Sequence, residues 1–272
     1  MNTPQNKAMP RLVSVPFDAH SSYVRGAADG PQAILDALAS DSANLWTETG
    51  HDASALLNDV HPIPTPEPKT FSAALEAAAT QCAESGRPPI FLGGDHSVTY
   101  PLVKGLRSVL GDFAILHFDA HPDCYDVFDD NPLSHACPFA RIMEEGLCTR
   151  LVSVGVRTAT GHQREQRKRF GIEWLEMKDK ANWPTLEFYG PVYISLDMDV
   201  LDPAFAPGVA HHEPGGMSTR EVLDVIHAVR EPVVAADVVE LNPSRDVDGR
   251  SAMTAAKLVR EIAGLALGGD AR

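Results

Sequence analysis

Phe113-Ala114-Ile115-Leu116-His117-Phe118-Asp119-Ala120-His121-Pro122-Asp123 sets a compact apolar run directly against three side chains able to bind a metal. The run lacks the polar alternation of a half-exposed strand, so it reads as a strand of a parallel sheet covered on both faces. Asp119, His121 and Asp123 follow at i, i+2 and i+4, and in extended geometry they project toward one side. The plainer reading is a solvated turn.

Two more segments repeat the pattern. Pro89 to Leu92 leads into Gly93-Gly94-Asp95-His96-Ser97, and Pro191 to Leu196 delivers Asp197-Met198-Asp199, which Asp202-Pro203 ends. Further strands are expected at Leu12 to Phe17, Leu151 to Val156 and Pro232 to Val239. Helices are expected between them: one opening at Asp29-Gly30-Pro31, an alanine-rich one from Phe71 to Glu84, one to Leu110, and a charged one around Gln163 to Phe170. Another, from Ser218 to Val229, carries the Ser-x-x-Glu capping box ending at Glu221, and a last one spans Ser251 to Leu267. His61-Pro62-Ile63-Pro64-Thr65-Pro66-Glu67-Pro68 must be an extended connection, because alternating prolines remove donors and restrict their predecessors. The expected fold is α/β, a single domain over residues 1–272, built as a three-layer sandwich on a mostly parallel central sheet.

A formal net charge of −14 disfavours nucleic acid and anionic membrane as partners and suits cationic ligands and divalent metals. Charge of this kind also simply keeps a protein soluble. Four cysteines without C-x-x-C spacing read as reduced intracellular thiols. The start, Met1 to Pro10, lacks both the apolar core of a signal peptide and the arginine-rich pattern of a transit peptide, and no run is long enough to span a bilayer. The chain is expected in the cytoplasm.

In open α/β sheets, ligands gather beyond the carboxyl ends of the strands, so these distant segments can meet in one pocket. Four aspartates brought together would repel one another and raise their pKa values unless cations compensate. Two divalent ions bridged by carboxylates supply that charge. Mixed oxygen and imidazole ligation suits manganese, with iron, cobalt, nickel or zinc as alternatives. Ions so placed can lower the pKa of a shared water, which points to hydrolysis. His96 completes the ligands, its double glycine letting the backbone bend close to the site. His135, in Ser134-His135-Ala136-Cys137-Pro138, either shuttles protons or caps the helix that Pro138 opens. Glu240 either receives a cationic substrate group or pairs with Arg245.

Gly93 to Ser97, Asp119 to Asp123, Ser195 to Pro203 and Glu240-Leu241-Asn242-Pro243 resemble the motifs of the ureohydrolase family, in the family's order. That family includes arginase, agmatinase and guanidinobutyrase, and the resemblance runs from about Pro16 to Leu265. Phe139-Ala140-Arg141-Ile142-Met143-Glu144, Arg164-Glu165-Gln166, Lys168-Arg169-Phe170-Gly171 and Asp202 to Val209 are similar in particular to plant-type arginases and their agmatinase-like bacterial relatives. The resemblance implies an arginase/deacetylase-like fold and two Mn2+ ions, with Ni2+ or Co2+ as substitutes. His96, Asp119, Asp123 and Asp197 would hold one ion; His121, Asp119, Asp197 and Asp199 would hold the other. Asp123 would accept a hydrogen bond from the attacking water, Glu240 would orient the guanidinium, and His135 would protonate the departing amine.

It further implies a small cationic guanidino substrate and a homo-oligomer, trimeric or hexameric. Animal-type arginases carry an asparagine for the substrate carboxylate where this chain has Tyr125. Tyr125 and Ser134 are therefore candidate substrate-binding residues, and Arg25 and Arg157 candidate carboxylate partners. L-Arginine is the favoured substrate, with agmatine or guanidinobutyrate as rivals. A zinc deacetylase would need fewer carboxylates, and a non-catalytic relative would lack ligands that are all present here.

Overall fold

Eight short strands hydrogen-bond side by side in a computed structural model that describes residues 9–65 and 67–268. They are β1 (Arg11–Val15), β2 (Val60–Pro62), β3 (Pro89–Gly93), β4 (Ala114–Phe118), β5 (Leu151–Val154), β6 (Glu173–Leu175), β7 (Val192–Asp197) and β8 (Val233–Val239). Their spatial order is β2-β1-β3-β8-β7-β4-β5-β6, and every adjacent pair runs parallel. The expectation of a mostly parallel sheet is thus met by a fully parallel one.

Parallel strands need crossovers, and the helices provide them. α1 (Gly30–Leu38), α6 (Thr219–Ala228) and α7 (Arg250–Ala266) cover one face; α2 (Phe71–Glu84), α3 (Thr99–Leu110) and α4 (Pro138–Glu144) cover the other, with α5 (Gly161–Phe170) beside them. Alternate residues of one strand feed the two cores. Leu12, Ile90, Leu92 and Leu116 pack under α1, α6 and α7, while Val13, Val15, Phe91 and Ile115 pack under α2 and α3. Each such side chain contributes about 1.5–3 kcal/mol when fully buried, and the central strands β3, β4 and β7 are buried along their whole length.

Two local expectations change. Asp29 stands at the N-cap of α1 without capping it, because its side chain makes no bond to the first turn. The proline segment is more than a connection: Val60 to Pro62 pairs in parallel with Leu12 to Ser14 as the edge strand, where a missing N–H is tolerated. Pro66 and the first eight residues lie outside the described residues. The capping box at Ser218 and Glu221 forms with both of its bonds.

The chain goes from β3 through α3 to β4 but leaves a gap between them that β8 and β7 later fill. The carboxyl ends of β3, β8, β7 and β4 therefore lie next to one another, and each carries one of the motifs singled out in the sequence. No helix among the described residues is long and apolar enough to cross a membrane.

Candidate metal centre

Beyond β3 the chain turns into a short 3-10 helix, His96–Val98, which places the His96 ring over the sheet end with no exposure. Its Nδ1 lies 3.3 Å from Asp119 Oδ2, 3.1 Å from Asp123 Oδ2 and 3.2 Å from Asp197 Oδ2. A second group adjoins it: His121 Nδ1 is 2.9 Å from Asp199 Oδ2 and 3.4 Å from Asp119 Oδ1. Among the described residues the ligand-capable atoms form three sets that share Asp119: His96, Asp119, Asp123 and Asp197; Asp119, His121 and Asp199; and His96, His117 and Asp119, where His117 bonds Asp119 Oδ2. All six residues expected to bind metal are brought together.

Backbone amides hold the carboxylates in place. The amide of His121 donates to Asp119 Oδ1 at 2.6 Å, that of Ala120 to Asp199 Oδ1 at 3.1 Å, and that of Asp199 to Asp197 Oδ1 at 2.7 Å. Asp123 and Glu240 adopt φ of 41° and 63°, a left-handed conformation that costs a non-glycine residue about 1–3 kcal/mol. Such strain persists only where the surroundings impose it, and here it turns both carboxylates inward.

Charge tests the fit to metal. Burial, with Asp199 and Asp119 nearby, holds Asp197 well above the usual carboxylate range, and burial with Asp119 raises Asp199 despite His121. Asp119 alone stays low, its burial outweighed by the imidazoles of His117, His121 and His96. Although burial would lower His96, the three carboxylates push it well above its ordinary value. Its Nδ1 is buried and has no hydrogen-bond partner. Each observation expresses a demand for positive charge between these groups, which divalent cations would meet. With oxygen and imidazole donors and no thiolate, the residues fit a binuclear centre of hard or borderline ions.

An open cavity reaches the cluster, lined by His121, Asp123, Asp197 and Asp199 together with His135 and Glu240. His135 Nδ1 is 2.8 Å from Glu240 Oε1, and the same oxygen accepts from the His96 amide at 2.9 Å. His135 therefore does not cap α4, whose N-cap position is Cys137, and Glu240 is bonded here rather than to Arg245. Burial is opposed by the Glu240 carboxylate, with Asp123 and Asp95, which push His135 up to about 9; Glu240 is lowered in turn by His135 against its own burial. Burial beside Glu240 brings Asp95 to about 6.

Tyr125 lines the cavity and stacks on His162. Ser134 does not line it: the residue is 3% exposed, and its hydroxyl faces the Ala136 amide. Arg157 is occupied elsewhere, donating to the carbonyls of Glu213 at 2.7 Å, Asp199 at 2.6 Å and Val200 at 3.1 Å. Arg25 is exposed, bonds to the Ala19 carbonyl at 2.8 Å and also lies outside the lining.

Several residues at the site escaped sequence reasoning. Ser22 contacts His135 through its hydroxyl at 2.8 Å and its amide at 3.2 Å. His117 holds Asp119 Oδ2 at 2.8 Å, and His211 lines the cavity with its ring 5.5 Å from that of His135 and 5.9 Å from that of His121. His117 had a signal, since it lies two residues before Asp119 and so on the same strand face. Ser22 and His211 lie in loops without pattern.

A parallel sheet whose four central strands bring His96, His121 and the carboxylates of Asp119, Asp123, Asp197, Asp199 and Glu240 together at one edge has the donor set of a metal-dependent hydrolase. The Arginase family model matches residues 9–264, and the chain belongs to that family. Arginase 1, mitochondrial, of rice is 46% identical over 275 residues, covering 94% of this chain and 81% of the rice protein. The N(1)-aminopropylagmatine ureohydrolase of Thermus thermophilus is 35% identical, covering 97% and 92%. Among solved structures, arginase from Medicago truncatula superposes with a TM-score of 0.87 at 40% identity, covering 95% of this chain and 87% of that one.

Proposed function

We propose that this chain is an arginase that hydrolyses L-arginine to L-ornithine and urea at a centre of two manganese ions, held by His96, Asp119, His121, Asp123, Asp197 and Asp199. The observation that carries the reading is the Glu240–His135 pair on the wall of the cavity that leads to the cluster. The resemblance to plant arginases supports the choice of substrate. Nickel or cobalt offers the same coordination chemistry.

Two divalent ions, when bound, would supply positive charge and a water of lowered pKa. The chain's own residues do the rest. Glu240, kept ionised by His135, would accept hydrogen bonds from the guanidinium and fix its plane above Asp119 and Asp197. Asp123 would accept a hydrogen bond from the attacking water and aim it at the guanidinium carbon. As the bond from that carbon to the side-chain nitrogen breaks, His135 would pass its Nδ1 proton to the departing amine. The exposed Ser22 hydroxyl at Nε2 would return a proton from solvent. Water's oxygen ends in urea; of its two protons, one would pass by way of Asp123 to the departing nitrogen and the other goes to solvent, matching the one returned to His135, so the amine leaves protonated.

One observation favours a second reading. Among the described residues no lysine or arginine lines the cavity, so a substrate α-carboxylate would meet only neutral groups such as Tyr125, Thr158 and Thr160, or His211. Agmatine and guanidinobutyrate place different charges there. Urea release by manganese-loaded protein from L-arginine, agmatine and guanidinobutyrate side by side decides the matter. Preference for arginine supports arginase, preference for another supports its rival, and silence on all three overturns the reading.

The remaining properties are proposed on narrower grounds. The cavity suits a small cationic substrate, and the family likeness suits a homo-oligomer, a trimer or hexamer. Four free cysteines suit a reducing compartment such as the cytoplasm, burial pushing Cys137 and Cys148 up to about 12.

A further inference from the structure

Asp237 is a fully buried carboxylate in the middle of β8, and it does not line the cavity. It accepts from Ser195 Oγ at 2.8 Å, from Thr99 Oγ1 at 2.9 Å and from the Tyr193 hydroxyl. Ser195 Oγ also lies 3.0 Å from His96 Nε2. The sheet register creates this line: Asp237 pairs with Ser195 on β7 and with Phe91 on β3, the strand that delivers His96.

A serine hydroxyl has one proton, and Asp237 takes it. The same oxygen can then only accept at His96, so His96 must carry its proton on Nε2. In the singly protonated ring Nδ1 is then a bare lone pair aimed among Asp119, Asp123 and Asp197, which is the form a metal ligand requires. We propose that Asp237 is a positioning residue that acts through Ser195 to fix His96 as the Nε2–H tautomer and so tightens one metal position selectively. Among the described residues neither Asp237 nor Ser195 hydrogen-bonds to His121 or Asp199, the groups particular to the other position. The inference rests on the binuclear-metal reading above.

Asp237→Asn tests it, because an amide NH2 in place of a carboxylate oxygen can turn Ser195 round to donate toward His96. Ser195→Ala removes the relay by a smaller change and carries the test if Asp237→Asn fails to fold. Tyr193→Phe deletes a hydrogen bond to Asp237 while leaving the relay, which controls for packing. Manganese titration of metal-free protein, read by the signal of free Mn2+, should show one of two ions weakened about 10–100-fold in Asp237→Asn and Ser195→Ala. The second ion, and both ions in Tyr193→Phe, should stay within about threefold of the parent, because no hydrogen bond to a ligand is lost there and the low end of one net hydrogen bond is about 0.5 kcal/mol.

Nitrogen-15 shifts of the His96 ring in metal-free protein, read at alkaline pH where the ring has lost the second proton that its three carboxylates favour, provide a readout independent of metal and of turnover. The parent should show Nε2–H, and Ser195→Ala a mixture of tautomers. Parental affinity for both ions in both variants, equal weakening of both, or an unchanged tautomer would overturn the proposal. If the parent itself binds no pair of ions, the metal reading fails, and the ring shifts still decide the relay.

Discussion

Glu240 Oε1 sits 2.8 Å from His135 Nδ1, while the Ser22 amide approaches His135 Nε2 at 3.2 Å. A backbone N–H can only donate, so in the neutral ring Nε2 is the accepting nitrogen and the one proton lies on Nδ1, shared with the carboxylate. The pair works as one unit: the glutamate sets the tautomer, and the histidine keeps the glutamate ionised. Glu240→Gln and His135→Asn should each keep both metals and lower kcat by about 10²–10⁴-fold. Metal analysis beside a urea assay checks this, and an unchanged rate in either variant would remove the role given to that residue.

His121 bonds only to cluster carboxylates through Nδ1 and lies on the cavity side, whereas His96 is sealed behind it. His121→Ala should therefore reduce bound metal from two ions toward one and abolish urea release without unfolding the chain. Retained activity with two bound ions would refute its assignment as a ligand.

Arg157 spends its guanidinium on backbone carbonyls that follow β7, among them that of Asp199 itself. Removing it strands buried acceptors at about 1–3 kcal/mol each. Arg157→Ala should thus lower both thermal stability and manganese affinity, and leave the preference between arginine and agmatine as it was. A selective rise in KM for arginine would restore it as a carboxylate partner.

His211 lines the cavity beside His135 and Tyr23, and burial with the positive charge of His135 and His121 lowers its pKa. A neutral ring there is free to hydrogen-bond substrate. His211→Ala should raise KM about tenfold, the loss of one hydrogen bond of about 1.5 kcal/mol, with metal content intact; identical KM values would dismiss it.

The strands were legible because buried parallel strands need continuous apolar runs, and the candidate metal ligands because they follow those runs directly. What stayed hidden depends on neighbours across the sheet. Nothing in the sequence around Asp237 names Ser195 or Tyr193 as its partners, since pairing between β8 and β7 is a property of topology. The edge strand at Val60 to Pro62 is short and mostly exposed, and β1 defines it. Arg157 resembled an anion receptor because a free guanidinium and one consumed by carbonyls read alike. Ser134 adjoins a site residue in sequence, yet the turn directs its hydroxyl inward.

Far from the site, Glu48 takes two hydrogen bonds from Arg220, at 2.7 and 2.8 Å, and lies 3.1 Å from Lys257 Nζ. The Arg220 bonds first, then Lys257, hold its carboxyl at about 2 against a little burial. A carboxyl lowered on folding stabilises above its unfolded pKa near 4.5 and loses that contribution as pH falls through about 2. The group is over a third exposed, so screening keeps the effect small. Glu48→Gln should melt slightly lower at pH 7, and the difference should close between pH 4.5 and 2; a constant gap across that range would place its cause elsewhere.

Gly94 is where the cluster leans on the segment that follows the first strand. A Cβ built there would stand 2.0 Å from the Phe17 carbonyl oxygen, which already accepts from the Asp95 amide at 2.8 Å. The Gly94 carbonyl in turn accepts from the Glu240 amide at 2.8 Å, so one residue ties the segment after β1, the His96 turn and Glu240 together. Backbone cannot swing aside as a flexible side chain can, so Gly94→Ala must shift either Phe17 or the His96 turn. The expected cost is about 1–3 kcal/mol of overpacking, with weaker metal binding and lost turnover because His96 and Glu240 move together. Gly161 is the contrast. It opens α5 behind the Thr160 cap, and a Cβ there meets nothing within 4 Å. Gly161→Ala should gain about 0.4–1 kcal/mol by restricting the unfolded chain and leave metals and rate unchanged. Thermal melts, metal content and urea release of the two variants measure the difference; Gly94→Ala equal to the parent in all three would show that the approach to Phe17 does not constrain the site.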